Sequence, residues 1–185
     1  MVTPSMTHLN LNRLDSPLGQ ILVVTEGEDL CALEFADHEP RMQKFLQARY
    51  GAFSLVPDQD RLGICDRIQS YFAGDFNSLI PITVSPGGTT FQQQVWSALQ
   101  NIPAGTTLTY GQLAAQLGNP NASRAVGLAN SRNPIAIVVP CHRVVGTNAQ
   151  LTGYAGGIER KRWLLQHENA LTQEDCQQIS LPLKI

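Results

Sequence analysis

The stretch SPGGT at residues 85–89 divides this chain into two stretches of different character. A proline followed by two glycines interrupts any regular element. Before it, residues 9–35 alternate short β-rich runs (LNLNRL, QILVVT, LCALEF) with turn clusters (DSPLG, EGED), the pattern of an antiparallel meander. Residues 39–50 and 60–73 read as helices that stop at Gly51 and Gly74, and IPITV at 80–84 reads as a strand. After the break, Thr90 is placed to cap a helix over FQQQVWSALQNI, with Phe91, Val95, Trp96 and Leu99 on one face. The expected class is α+β in two domains. Residues 1–86 form an α/β domain with the meander, residues 87–169 a mostly helical domain, and 170–185 a tail without an assigned role.

Charge follows the same division. Residues 1–75 carry six Lys/Arg against eleven Asp/Glu, whereas residues 76–158 carry three arginines (Arg124, Arg132, Arg143) and no acid. A long acid-free stretch suits a surface that meets a polyanion; a merely polar segment without acids is the plain alternative. Within it, Leu113, Ala114 and Leu117 make one helical stripe, Gly118 stops it, Asn119-Pro120-Asn121 turns, and a second helix runs from about Ala122 to Ser131. The spacing is that of a helix-turn-helix. Its second helix is lined by Ala122, Ser123, Ala125 and Gly127, with Arg124 as a single long cation. Small residues weaken a helix in isolation, and they leave a face that a bulky partner can approach closely.

The segment IVVPCHRVVG, residues 137–146, carries the chemistry. Ile137 to Val139 reads as a buried strand, interrupted by Cys141, His142 and Arg143 before Val144-Val145 resume the apolar run. A thiolate is the reactive form of cysteine, and a neighbouring imidazole takes its proton or stabilises it. Adjacent residues of an extended chain point apart, so a water would have to bridge Cys141 and His142. A base also needs an orienting acid. Glu168 lies four residues after Leu164 and three after Leu165, on the face those leucines would bury; exposure at the helix end is the alternative. The other cysteines, Cys31, Cys65 and Cys176, form no C-x-x-C pair and read as free thiols, without a metal site.

PCHRVVG, preceded by VGLANSRNPIAIVV and followed by GYAGGIERKRWLLQHE, closely resembles the O6-alkylguanine-DNA alkyltransferases, the methylated-DNA–protein-cysteine methyltransferases, of bacterial type. The resemblance is strong over about residues 88–168 and weaker in DSPLG and YFAGD nearer the N-terminus. It implies a ribonuclease H-like N-terminal domain and a protein that binds alkylated duplex DNA in the minor groove and rotates the damaged nucleotide out of the stack. It assigns the nucleophile to Cys141, the base to His142, the orienting acid to Glu168, a phenol beside the flipped base to Tyr110 and a bracing amide to Asn133. Arg124 would fill the vacated stack, with Ala122, Ser123, Ala125, Gly127 and Arg132 along the DNA. Tyr154, Val144, Gly153 and Ala155 would wall the substrate pocket.

The implied reaction is one stoichiometric transfer of an alkyl group from O6-alkylguanine to Cys141, with O4-alkylthymine left open as a second substrate and no cofactor. A non-catalytic lesion-binding protein and a cysteine hydrolase are the alternatives; the latter lacks a Gly-rich oxyanion signature around Cys141. The expected protein is a cytoplasmic monomer, with clustering on DNA left open. Its N-terminus lacks a signal-peptide pattern, and no apolar run reaches membrane-spanning length.

Overall fold

The computed structural model describes residues 6–171. The chain is an α+β protein whose described residues divide into two compact units. One comprises residues up to Thr89 together with Pro134–Val138; the other comprises Thr90–Asn133 and the chain from Val139 onward.

In the first unit, β1 (Thr7–Leu14), β2 (Ile21–Glu26) and β3 (Asp29–Phe35) form the antiparallel meander. β4 (Phe53–Pro57) adds to β1 in parallel, giving the sheet order β3-β2-β1-β4. β2 and β3 are buried almost throughout, and helix α1 (Glu39–Tyr50) packs Met42 and Leu46 against Leu22, Val24 and Ala32 of the sheet. The second helix of this unit, α2 (Ile64–Phe72), is shorter than its expected 60–73 span and buries Ile64, Cys65, Ile68 and Tyr71.

Two expected strands are absent. IPITV forms a turn followed by one isolated parallel bridge, Leu30 to Val84. Ile137–Val139 is a turn, not a strand. Its pairing lies just upstream, where Leu33 N–H donates to the Pro134 carbonyl at 2.9 Å and Ala136 N–H donates to the Leu33 carbonyl at 3.0 Å. In residues 137–139 the apolar side chains are buried by irregular backbone, whereas in IPITV Ile82 is buried, Val84 is partly buried and Ile80 is 76% exposed. Strand β4 had no expectation, since FSLVP lacks a clean alternation and ends in proline; as an edge strand it tolerates both.

In the second unit, α3 (Thr90–Gln100) begins at Thr90 itself and buries Val95, Trp96 and Leu99. The Trp96 indole N–H donates to the Ala129 carbonyl at 2.9 Å, fixing α3 against α5 (Ser123–Ser131). Helix α4 (Tyr110–Gln116) opens with a capping box, Thr109 and Gln112 each receiving the other's backbone N–H. Leu113 and Ala114 are its buried stripe. Gly118 ends it at φ 77°, and Pro120–Ala122 make a short 3-10 turn into α5. Two-residue strands β5 (Leu108–Thr109) and β6 (Val144–Val145) pair in parallel. Helix α6 (Ile158–His167) completes the unit.

Candidate active site around Cys141

Cys141–Arg143 form a 3-10 turn, not an extended run, and all three side chains are buried. The turn is preceded by Ile137 at φ 69°, a left-handed conformation that a β-branched residue adopts only under strain. Two asparagines pin the turn. Asn133 Nδ2 donates to the Val139 carbonyl at 2.7 Å, and Asn130 Nδ2 donates to the Cys141 carbonyl at 3.3 Å. Both side chains are buried, so their bonds work without competition from bulk water.

Glu168 is the centre of the charge network. It is buried, and its Oε1 lies 3.0 Å from His142 Nε2. Arg143 grips the same carboxylate through Nε at 2.9 Å and Nη2 at 2.8 Å, a two-pronged contact, while its Nη1 donates to the Ile102 carbonyl. Burial alone would raise the Glu168 pKa, but the hydrogen bond from His142 and the bonds and charge of Arg143 outweigh it and hold the carboxyl well below its ordinary range. A carboxylate only accepts, so His142 Nε2 carries the proton toward Glu168. His142 is wholly buried, and burial lowers its pKa against the pull of Glu168. The ring is therefore neutral at physiological pH, with a lone pair on Nδ1, which has no hydrogen-bond partner among the described residues. That atom is a base without a proton.

The backbone explains how an acid arrives there. Glu168 caps α6, and Asn169 follows at φ 58°. Asn169 N–H donates to the Gln166 carbonyl at 2.9 Å and Ala170 N–H to the Leu165 carbonyl at 2.8 Å, a Schellman cap with asparagine in the left-handed position. Leu165 and Leu171 pack with Val145 around it. The cap halts the helix so that Glu168 turns inward.

Tyr110, the first residue of α4, is brought to the same region. Its hydroxyl makes long bonds to the Thr152 and Gly153 carbonyls, at 3.4 and 3.5 Å. Burial raises its pKa, so the phenol keeps its proton. A Cβ at Gly127 would sit 3.7 Å from the Tyr110 ring, and one at Gly153 would sit 3.8 Å from its hydroxyl. The ring is thus flanked by α5 and by the loop before α6. Val144 is buried, Tyr154 and Ala155 are partly buried, and Gly153 is exposed in that loop.

On α5, Arg124 and Ala125 are exposed, Ala122, Ser123 and Gly127 are partly exposed, and Arg132 just beyond the helix is exposed. Leu128, one turn after Arg124, is a large apolar side chain left 54% exposed.

Two residues of this cluster had no role assigned from the sequence. Arg143 read as one of three scattered cations, yet it is the main partner of Glu168. Lys161 lies in the basic first half of the last helix, ERKRWLLQHE, yet it is 0% exposed. The signal for Lys161 was present: it precedes Leu164 by three residues, Leu165 by four and Glu168 by seven, on the stripe already read as buried.

Fold and site together define a cysteine–histidine–carboxylate protein whose thiol sits beside a helical hairpin. Residues 90–170 match the family model of the 6-O-methylguanine DNA methyltransferase DNA-binding domain. A methylated-DNA–protein-cysteine methyltransferase of Salmonella typhimurium is 46% identical over 169 residues, 90% of this chain and 99% of the relative. The crystal structure of Mycobacterium tuberculosis OGT in complex with DNA superposes with a TM-score of 0.72 at 41% identity, covering 88% of this chain and 93% of that one. The O6-methylguanine-DNA methyltransferase of Pyrococcus kodakaraensis gives 0.68 at 28% identity, covering 86% and 98%. The chain belongs to the methylated-DNA–protein-cysteine methyltransferases.

Proposed function

We propose that this protein repairs DNA by taking the alkyl group of O6-alkylguanine onto Cys141, once per molecule. The observation that carries this reading is the neutral His142, oriented by Glu168 through Nε2 with Nδ1 unbonded, in the same buried turn as the thiol. The Cys141 thiolate attacks the alkyl carbon. The sulfur–carbon bond forms as the carbon–O6 bond breaks, and the electron pair leaves with the purine. His142 takes the thiol proton beforehand, directly or through a water. Tyr110, a phenol that burial keeps protonated, gives a proton to the leaving purine. A thioether is not hydrolysed, so the site is spent, and no cofactor enters the balance.

The alkyl carbon is inaccessible inside a duplex, so the nucleotide has to leave the stack. In this reading α4 and α5 act as a helix-turn-helix against the minor groove. Arg124 enters the stack, Ala122, Ser123, Ala125, Gly127 and Arg132 run along the backbone, and Val144, Gly153, Tyr154 and Ala155 wall the pocket. Asn133 braces the turn. Residues 1–86 serve as a ribonuclease H-like scaffold and 87–169 as the alkyl-acceptor domain.

Intact-protein mass spectrometry tests this with an oligonucleotide carrying one O6-methylguanine. A single methyl gain, on the peptide containing Cys141 and saturating at one per protein, is expected. Tight binding with no gain would leave a lesion-binding protein instead. Arg124→Ala should slow repair of duplex far more than reaction with free O6-alkylguanine base; equal losses would remove Arg124 from the stack-filling role.

A further inference from the structure

Leu128 is a large apolar side chain to which the reaction above gives no task. It is 54% exposed on α5, and among the described residues of the second unit no other large apolar side chain is left exposed. A single exposed leucine is ordinary in itself; its position is not. The exposed residues along α5 are Arg124, Ala125, Leu128 and Ser131, with Arg132 following at the C-cap. Arg124, Leu128 and Arg132 recur every four residues, so they form one stripe on the helix surface, a leucine between two guanidiniums. Their neighbours Ala125, Gly127 and Ser131 are all short.

Such a stripe suits a polyanion that also offers apolar surface. The arginines meet the charge, and residues 76–158 hold no carboxylate to repel it. On duplex DNA, a leucine between phosphate-binding groups finds apolar contact only down in a groove, against sugars and base edges. The short neighbours let the helix backbone come close enough for Leu128 to reach them.

We infer that Leu128 sets a sequence preference around the lesion, by lying on the minor-groove floor and disfavouring G·C pairs there. Both kinds of base pair present acceptors in that groove, but G·C adds the guanine N2 amino group, a donor. A leucine laid over this amino group takes it out of water and offers it no acceptor, which is unfavourable. Over A·T no donor is buried. The inference rests on the minor-groove reading of α4 and α5 and deepens it. Four residues of helix span about 6 Å, and base pairs stack about 3.4 Å apart. With Arg124 in the vacated position, Leu128 therefore meets a pair within about two steps of the lesion.

The test uses duplexes carrying one O6-methylguanine, with the two pairs on each side set to A·T, G·C or inosine·cytosine. Inosine pairs as guanine does but lacks the N2 amino group. Single-turnover methyl transfer to the native protein should be at least about fivefold slower beside G·C than beside inosine·cytosine. In Leu128→Ala most of that difference should vanish, while reaction with free O6-alkylguanine base stays as in the native protein. The substitution replaces an exposed side chain with a better helix former, so the fold is kept. Flanking pairs that merely hold the duplex together more tightly would slow both proteins alike. An equal ratio in the two proteins, or no ratio in the native one, overturns the inference. Fluorescence anisotropy on the same duplexes asks the question without chemistry: native affinity should be weaker with G·C flanks than with inosine·cytosine flanks, and Leu128→Ala should bind both alike. A protein with that binding pattern and no methyl gain would overturn the repair reading and keep the role of Leu128. Methyl gain at one rate in every context would do the reverse.

Discussion

Among the described residues lie three buried thiols, Cys31, Cys65 and Cys141, and their surroundings differ in charge more than in exposure. Cys31 is in the first unit's core, donating to the Val24 carbonyl, and burial pushes its pKa up to about 11. Cys65 is pushed to about 12 by burial and by the aspartates at 60, 66 and 58. Cys141 is no more open to solvent than Cys65: 5% against 9%. What sets it apart is a neutral imidazole next to it in the chain, oriented by Glu168, a carboxylate that Arg143 holds. Burial disfavours a thiolate unless cations or a base offset it. Enclosure therefore silences two of these cysteines, and the proposed role of the third depends on the groups that offset it.

The sharpest way to break this comparison is to remove the thiols in turn. Cys141→Ala should abolish methyl gain from O6-methylguanine DNA by mass spectrometry while binding to the lesion persists, and Cys31→Ala and Cys65→Ala should each keep full stoichiometry. Methyl gain in Cys141→Ala would sink the assignment. Next in size is Glu168→Gln. It releases His142 and leaves Arg143 buried without its partner, so transfer should slow by about 100-fold. Urea denaturation should show a loss of about 3 kcal/mol. A variant with native stability and native rate would mean the network is ornamental.

Acid titration gives a smaller and more selective effect. His142 has a lowered folded pKa, so its contribution to stability is complete above pH 6.5 and is lost as pH falls below that. Glu168 is also lowered, so its contribution is present above pH 4.5 and is lost further down. Stability measured by urea denaturation should fall from pH 6.5 downward, and His142→Phe should lack the first limb while retaining the second. Least disruptive is labelling of the folded wild-type protein with iodoacetamide at pH 8. Cys141 should react at least tenfold faster than Cys31 or Cys65, as read by peptide mass spectrometry; equal rates would erase the distinction.

The sequence exposed the parts of this site whose signal is local. Cys141 and His142 are adjacent, and Glu168 is in phase with Leu164 and Leu165. The helical hairpin announced itself through Gly118 and Asn119-Pro120. What stayed hidden depends on tertiary partners. Arg143 reaches Glu168 across 25 residues and Ile102 across 41, and no periodicity encodes that. The apolar run 137–139 looked like a strand because burial, not extension, is what an apolar run reports. Here burial is achieved by a turn with Ile137 in a strained conformation. Lys161 carried no assignment because its charge masked its phase: it lies on the apolar stripe of Leu164 and Leu165.

The cap at Asn169 has a consequence for heat. Helix ends normally fray first and at little free-energy cost, yet here the terminal turn of α6 holds the acid that orients His142. If His142 is the base, as proposed, opening of that turn and loss of the base are one event. The protein would then lose its chemistry at a temperature set by this local melting, below the point at which the whole fold gives way. The amides of Glu168 and Ala170, bonded to the Leu164 and Leu165 carbonyls, are its thermometer: their hydrogen exchange should quicken in step with falling repair while the β2–β3 amides remain protected.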